Sequence, residues 1–413
     1  MEIKLVGSTR NFILSSKYLK NFIQRDEKSN CEFVNLSEID QSLLTNSNIQ
    51  EDLLRFTQNY ARICYSEKNW DGLVKESYKE NLVERLIDSG HHSVFEHIHF
   101  NFYLEAIPKI FAMTLNNEKQ YNTSEKSGRY TVMKDTFKEQ KEIYDKWVQI
   151  LFPEIEKAYP KIGNEDTRRT KITKLAQENA RYVTSVFTPV QMGYSVNWRQ
   201  LNYLMNEFEN FAKLENVDDK LKERITSYLQ EFNNTLKFLK KEGLENKTDR
   251  HLSLFNSRRV EEHFGDNYST TYKISLAAEA ENQRHRTLHT NIFNGLRFDA
   301  PHEFFIPQII PENLKQEWIN DLTKLSKNDF LLNGLLVEVS ERGDIEDFRS
   351  KAILRMCGHT LCELMISTKN IAEKYKQYQR EYGSNSLMPK CMQGEKCKEP
   401  CAWGGKMALE RIV

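Results

Sequence analysis

Glu96-His97-Ile98-His99-Phe100-Asn101-Phe102-Tyr103-Leu104 alternates polar and apolar side chains after an acidic residue and a histidine, and Glu262-His263 leads in the same way toward Tyr268-Ser269-Thr270-Thr271-Tyr272-Lys273-Ile274. A period of two predicts half-buried strands, one with Phe100, Phe102 and Leu104 on its inner side, the other with Tyr268, Thr270, Tyr272 and Ile274. Glu96 and Glu262 are 166 positions apart. Downstream, Arg129 of Ser127-Gly128-Arg129-Tyr130 and Arg297 of Asn294-Gly295-Leu296-Arg297-Phe298 are 168 apart. An offset this constant marks two homologous halves, 1–215 and 245–413. The intervening 216–244 holds Leu221, Ile225, Tyr228, Leu229, Phe232, Leu236 and Leu239 at helical spacing, which predicts an amphipathic connecting helix over 219–241. The implied fold class is α+β, helix-rich with small antiparallel or mixed sheets, the halves packed together as a pseudo-dimer.

The 413 residues carry 59 Lys+Arg against 59 Asp+Glu, a formal net charge of zero, with 39% hydrophobic and 11% aromatic residues. This is the composition of a globular protein with a sizeable core. Balanced charge argues against a nucleic-acid partner, since phosphate binders carry a basic excess. The start of the chain has no apolar leader and no run is long enough for a membrane span, so a cytoplasmic protein with no membrane partner is expected. Seven cysteines, an odd number, are expected as reduced thiols.

Several short segments carry chemistry. Gly90-His91-His92-Ser93-Val94-Phe95-Glu96-His97 precedes the first strand, and Ser127-Gly128-Arg129-Tyr130 follows it. Ala180-Arg181-Tyr182-Val183 and Asn197-Trp198-Arg199-Gln200-Leu201 come next, and the second half carries Arg284-His285-Arg286, followed by seven residues and Asn294. Each has a bland reading alone: Glu96-His97 as a structural pair, Ser127 to Tyr130 as a turn entering a strand, Arg181 and Arg199 as surface or salt-bridge residues, Arg284 to Arg286 as a solvated charge run. Their common order is what favours function.

Together they resemble the flavin-dependent thymidylate synthases, whose signature runs G-H-x-S/T-x-F-E-H, R-H-R-x7-S ending in S-G-R-Y, A-R-x-V and N-x-R-x-L. The resemblance implies transfer of a methylene group from methylenetetrahydrofolate to C5 of dUMP, with FAD as cofactor and NADPH as reductant. It also implies active sites at interfaces between copies of the fold, and hence a homodimer forming a pseudo-tetramer. Carried over position by position, Ser127, Gly128, Arg129, Tyr130 and Arg181 would bind the uracil nucleotide, with Ser127 and Arg129 closest to the chemistry. His91, Ser93, Glu96, Asn197 and Arg199, joined by Arg284, His285 and Arg286, would bind FAD. Arginine suits both phosphate groups because its planar fork donates bidentately and stays charged.

The departures are patterned. Where the first half should have R-H-R it has Asn116-Asn117-Glu118-Lys119, an acidic residue where flavin phosphates need cations. The second half keeps Arg284-His285-Arg286 but has Asn256-Ser257-Arg258-Arg259 in place of the G-H-x-S segment. Each half has lost what the other retains, which predicts one composite site per chain. A further departure weakens the default substrate: Glu207-Phe208 occupies the place where the family has an arginine that helps ionise uracil. Methylation or hydroxymethylation of another pyrimidine nucleotide such as UMP, or a non-catalytic nucleotide- or flavin-binding role, are the alternatives.

Cys391, Cys397 and Cys401 form a compact C-x5-C-x3-C tail, preceded by Cys357, His359 and Cys362. Free thiols at the chain end are the simpler expectation; a structural zinc held by Cys391, Cys397 and Cys401 with one further ligand is the alternative.

Overall fold

The computed structural model describes residues 1–9, 19–26, 31–45, 47–127, 137–215, 217–245, 251–293, 296–298, 301–327, 330–378, 387–397, 401–403 and 406–413. Among these, ten strands form two antiparallel sheets. The first contains β1 (Glu2–Ser8), β2 (Ile23–Asp26), β3 (Cys31–Asn35), β4 (His99–Pro108), β5 (Asn122–Glu125) and β6 (Pro189–Asn197), in the order β2-β3-β1-β4-β6-β5. The second contains β7 (His263–Phe264), β8 (Asn267–Ser275), β9 (His289–Ile292) and β10 (Leu336–Asp344), in the order β7-β8-β10-β9. The helices that matter here are α1 (Ile49–Ile63), α2 (Lys109–Asn117), α3 (Lys138–Ala158), α4 (Glu165–Ala180), α5 (Trp198–Asn210) and α6 (Asp219–Leu236). They continue with α7 (Leu276–Asn282), α8 (Lys315–Lys327), α9 (Ile345–Arg355) and α10 (Cys362–Tyr378).

Both expected strands are present, and their alternation does what the pattern requires. Phe100, Phe102 and Leu104 of β4 are buried, as are Tyr268, Thr270 and Ile274 of β8. The predicted connecting helix is α6, started by Asp218, whose carboxylate accepts from the Lys220 and Leu221 amides. It lies on the first half: the Phe232 ring sits 5.8 Å from Phe111 and 5.5 Å from Phe208, and Asn233 donates to the Met205 carbonyl at 2.7 Å.

The succession β4–α2–β5, then helix, then β6–α5 recurs as β8–α7–β9, then helix, then β10–α9. Strand order repeats too, β4-β6-β5 against β8-β10-β9. So do local hydrogen bonds. Where α2 starts, Lys109 and Ile110 donate backbone N–H to Thr188 and Val186; where α7 starts, Leu276 and Ala277 donate to Leu335 and Asn333. Asn197 accepts from the Gln200 amide to cap α5, and Asp344 accepts from the Asp347 amide to cap α9, both at 2.8 Å. The first half differs in having β1–β3 and two helices, α3 and α4, where the second half has α8.

The halves share a hydrophobic core that runs from Ile3 to Val413. Trp147 of α3 meets Trp318 of α8 edge-on at 4.9 Å, both fully buried, and Asp321 accepts from the Trp147 indole at 2.8 Å and Lys146 at 2.6 Å. Backbone joins them as well, with Val186 donating to Leu331, Asn333 to Thr184 and Gly334 to Tyr182, each at 2.8 Å. Because apolar surface is buried between halves and not only within them, they are expected to unfold as one unit. Trp318→Ala should destabilise the whole chain by about 3–5 kcal/mol. Denaturant unfolding followed by far-UV circular dichroism and tryptophan fluorescence checks this; two separated transitions would contradict the shared core.

Candidate functional site

The seam between the halves is built by a reciprocal exchange. Lys119, just past α2, donates to the Leu288 carbonyl, and Arg286, just past α7, donates to the Tyr121 carbonyl at 2.7 Å. In each case the cation reaches the residue two positions beyond its own counterpart in the other half. That is the signature of a two-fold contact between related surfaces. Beneath it, Asn117 donates to the Thr290 carbonyl at 2.9 Å, and its side-chain oxygen accepts from Gln283 at 2.9 Å and the Thr290 hydroxyl at 3.1 Å. Burial pulls the Lys119 ammonium down to about 8, against the pull of Glu279, Glu118 and Glu341.

Two clefts open on this seam and share Lys119 and Gln120. The larger, about 780 Å³, is lined by Lys119, Arg258, Arg286 and Arg342 with Asn117, Ser253, Thr287, His289 and Asn291 among its polar walls. The smaller, about 160 Å³, holds Glu96, Asn197, Arg199, Gln200 and Tyr203. Four cationic side chains and hydroxyl or amide walls suit a polyanion such as a pyrophosphate with its ribose, and the volume falls in the range of small-ligand sites. The acidic residue at this position, Glu118, lines the larger cleft too, but it is buried and accepts from the Ser253 amide and hydroxyl and from Tyr203. Its charge is committed to tying the two halves together.

The expected cofactor residues divide. Glu96 and Arg199 pair at 2.6 Å in the smaller cleft, beside Asn197. Arg286 faces the larger one and Arg284 is exposed nearby, its charge acting on the Tyr121 hydroxyl. His91 and Ser93 are exposed at the turn before β4 and line neither cleft. His285 turns inward: it is buried and its Nε2 accepts from Arg355 Nε at 2.6 Å. Burial, then the Arg355 charge, pushes this imidazole down to about 3, so it is neutral at physiological pH. Among the nucleotide residues, Ser127 is half-buried past the end of β5, while Gly128, Arg129 and Tyr130 lie outside the described residues, as does Asn294. Arg181 reaches across to α7, donating to the Ala277 carbonyl at 3.4 Å, and its Nε is buried without a protein acceptor. An unpaired buried guanidinium nitrogen at the seam is where an anionic ligand would be welcome.

One residue escaped the sequence reading. Arg355 ends α9 at the same spacing from the capping Asp344 as Phe208 stands from the capping Asn197 in α5. An arginine thus stands in the other half, the one that keeps Arg284-His285-Arg286, at the spacing where the first half has Phe208. It is held at 2.8 Å by Glu281 and at 2.6 Å by His285. On α7, burial raises the Glu279 carboxyl to about 7, partly offset by hydrogen bonds from Thr290 and Asn282.

Comparison with known proteins identifies the family. The family model described as thymidylate synthase complementing protein matches residues 48–213. A flavin-dependent thymidylate synthase of Pseudothermotoga lettingae is 30% identical over 152 residues, covering 35% of this chain and 67% of that one. The chain belongs to the flavin-dependent thymidylate synthase family. A second flavin-dependent thymidylate synthase, from Kosmotoga olearia, is 26% identical over 177 residues, covering 38% of this chain and 72% of that one. Among solved structures, thymidylate synthase X of Helicobacter pylori with FAD and dUMP aligns at TM-score 0.28 and 16% identity, over 47% of this chain and 95% of that one. A UMP/dUMP methylase of Streptomyces cacaoi bound with 5-Br dUMP aligns at TM-score 0.25 and 15% identity, over 45% and 90%. No helix among the described residues is long and apolar enough to cross a membrane.

In this family member the neutral His285 makes stability depend on pH. Its folded value is far below its unfolded value, so the unfolded chain binds the extra proton and stability falls as pH drops from about 6.5 toward about 3. His285→Gln removes that proton and should flatten the pH dependence of the unfolding midpoint between about 6.5 and 5. An unchanged slope would show that His285 is not buried neutral.

Proposed function

We propose that the chain transfers a one-carbon group from methylenetetrahydrofolate to C5 of a uracil nucleotide, dUMP by default, at one composite site per chain, with FAD as cofactor and NADPH as reductant. The observation that supports this is the seam itself: a cleft with the cations Lys119, Arg258, Arg286 and Arg342 from both halves opens beside the smaller cleft that holds Asn197 and Arg199. The two halves are then the two members of a fused pair, and pairing of two chains would rebuild the four-copy arrangement the family implies.

When bound, FAD supplies the hydride. Lys119, Arg258, Arg286 and Arg342 would hold its phosphates, since they are the cations of the larger cleft. Arg199, fixed by Glu96, and Asn197 would flank it from the smaller cleft. Arg181, with Ser127 and Arg129 before it in the chain, would take the nucleotide phosphate. Arg355 has the character needed to stabilise a uracil ring that has lost its N3 proton. Its side chain is largely buried, permanently charged, and aimed by two neighbours. An arginine at this position in the second half supports dUMP as the default substrate despite Phe208.

One flavin per chain is expected on denaturation, and Arg286→Ala should lower flavin affinity by one to two decades, the worth of a charge-assisted phosphate contact of about 1.5–3 kcal/mol. Two flavins per chain, or full occupancy in the variant, would sink the composite site. For Arg355→Lys we expect flavin and nucleotide binding to persist while tritium release from 5-tritiated dUMP falls at least tenfold, because the fork held by His285 and Glu281 is lost. Wild-type rates in that variant, or faster release from 5-tritiated UMP than from dUMP in the unmutated protein, would overturn the assignment.

A further inference from the structure

Strand β8 has an outer edge that the fold uses only at its ends. Leu276 donates its amide to the Leu335 carbonyl, so in the unbroken β8–β10 register Ile274, Tyr272 and Thr270 also turn their backbone groups toward β10. In an antiparallel ladder the residues between them turn theirs the other way. Ser269 does so and pairs with His263 of β7, and Ser275 does so and gives its amide to the Glu363 carboxylate at 2.6 Å. Thr271 and Lys273 lie between these two, and among the described residues neither has a backbone partner on that side.

The first half shows what such an edge accepts. The capping residues Asn197 and Asp344 stand opposite His99 and Asn267, which puts Phe102, Tyr103, Leu104 and Glu105 of β4 in the places of Thr270, Thr271, Tyr272 and Lys273. There β1 lies along the edge, with Leu5, Lys4, Ile3 and Glu2 opposite those four residues, and Ile3 and Leu5 are fully buried. In the second half β7 covers only the two positions that match Gly7 and Ser8. Beside the open stretch a cleft of about 440 Å³ runs between β8 and α10, with Ile274, Leu336, Ile366 and Ile371 among its apolar walls and Ser367 and Asn370 among its polar ones.

We propose that this edge of β8 takes an extended segment of a partner polypeptide, laid antiparallel to it in the place that β1 has on β4. Main-chain hydrogen bonds to Thr271 and Lys273 supply affinity, and alternate side chains of the segment enter the cleft. The partner's sequence is constrained at three positions. Residues opposite Thr270 and Tyr272 are apolar, as Leu5 and Ile3 are, and the residue opposite Lys273 is acidic, as Glu2 is. Glu2 faces Glu105 in the first half, whereas a lysine stands at that place in β8, so the cross-strand pair is attractive. The present partner of Lys273, Glu303 at 2.7 Å, forms an exposed pair that is readily exchanged. The notch does not admit a second copy of the same strand. Because β7 already occupies this edge at Tyr268 and Ser269, an antiparallel β8 of another copy would bring its own β7 into the same line.

The test uses the full chain and a fluorescent peptide with blocked ends that copies Met1-Glu2-Ile3-Lys4-Leu5-Val6. Saturable binding by anisotropy is expected, and hydrogen exchange at the Thr271 and Lys273 amides should slow by about tenfold when the peptide is bound. A peptide with Asp in place of both Ile3 and Leu5 should bind about tenfold more weakly or not at all. Thr271→Pro removes an edge donor that no strand of the fold uses, so the chain should still fold while its affinity for the peptide falls by about tenfold. The Lys273→Glu chain should prefer a Glu2→Lys peptide to the original, reversing the order of the unmutated chain. No binding by the folded chain, or an affinity that neither variant changes, would overturn the proposal. A concentration-dependent dimer that Thr271→Pro dissociates would overturn it too, since a second copy would then be the occupant.

Discussion

Everything near the seam depends on two cations being given to two carbonyls of the opposite half, Lys119 to Leu288 and Arg286 to Tyr121. The exchange fixes how α2 and α7 face each other, and the amide network of Asn117, Gln283 and Thr290 fills the space beneath. Since both cations are partly consumed by this contact, the cleft that opens beside them has a rigid cationic wall in place of mobile surface lysines and arginines. Buried Glu118, tied to Ser253, adds a second inter-half link at the same place.

The halves have the same scaffold but have spent it differently. On β6 of the first sheet Tyr194 is buried, and α5 contributes the buried Leu204. The corresponding positions in the second half are Glu341 and Lys351, paired at 2.7 Å with both side chains fully buried. Burial opposes the Glu341 carboxylate, yet Lys351 and the Tyr268 and Tyr272 hydroxyls outweigh it and hold it at about 2. A buried pair of this kind adds little net stability compared with apolar packing, but removing one partner is costly. It also supports the floor under Glu279, Asn282 and His285, and so under Arg355.

Much of this was legible in the chain because the signals are local. Alternation over His99–Leu104 and Tyr268–Ile274 reported the two strands faithfully, and the spacing of Leu221, Ile225, Leu229 and Phe232 reported α6. The inward turn of Glu118 and His285 was not legible, since neither a buried carboxylate partner such as Ser253 nor an acceptor role toward Arg355 leaves a trace in nearby sequence. Arg355 was missed for a different reason. The offset between halves is constant through α2 and α7 but then shortens, because α8 alone stands where α3 and α4 stand in the first half. A search at fixed offset runs off the true correspondence; the paired caps Asn197 and Asp344 restore it.

The shared core between α3 and α8 has one more consequence. In an assembly of separate subunits a composite site exists only while the subunits remain associated, so activity is lost on dilution. Here the second half is covalently tethered to the first and already packed on it, and its effective concentration is set by geometry instead of abundance. The composite site proposed between the halves would therefore persist in a single molecule at any dilution. Each of its two walls is then free to change without altering a second copy of itself in the same chain.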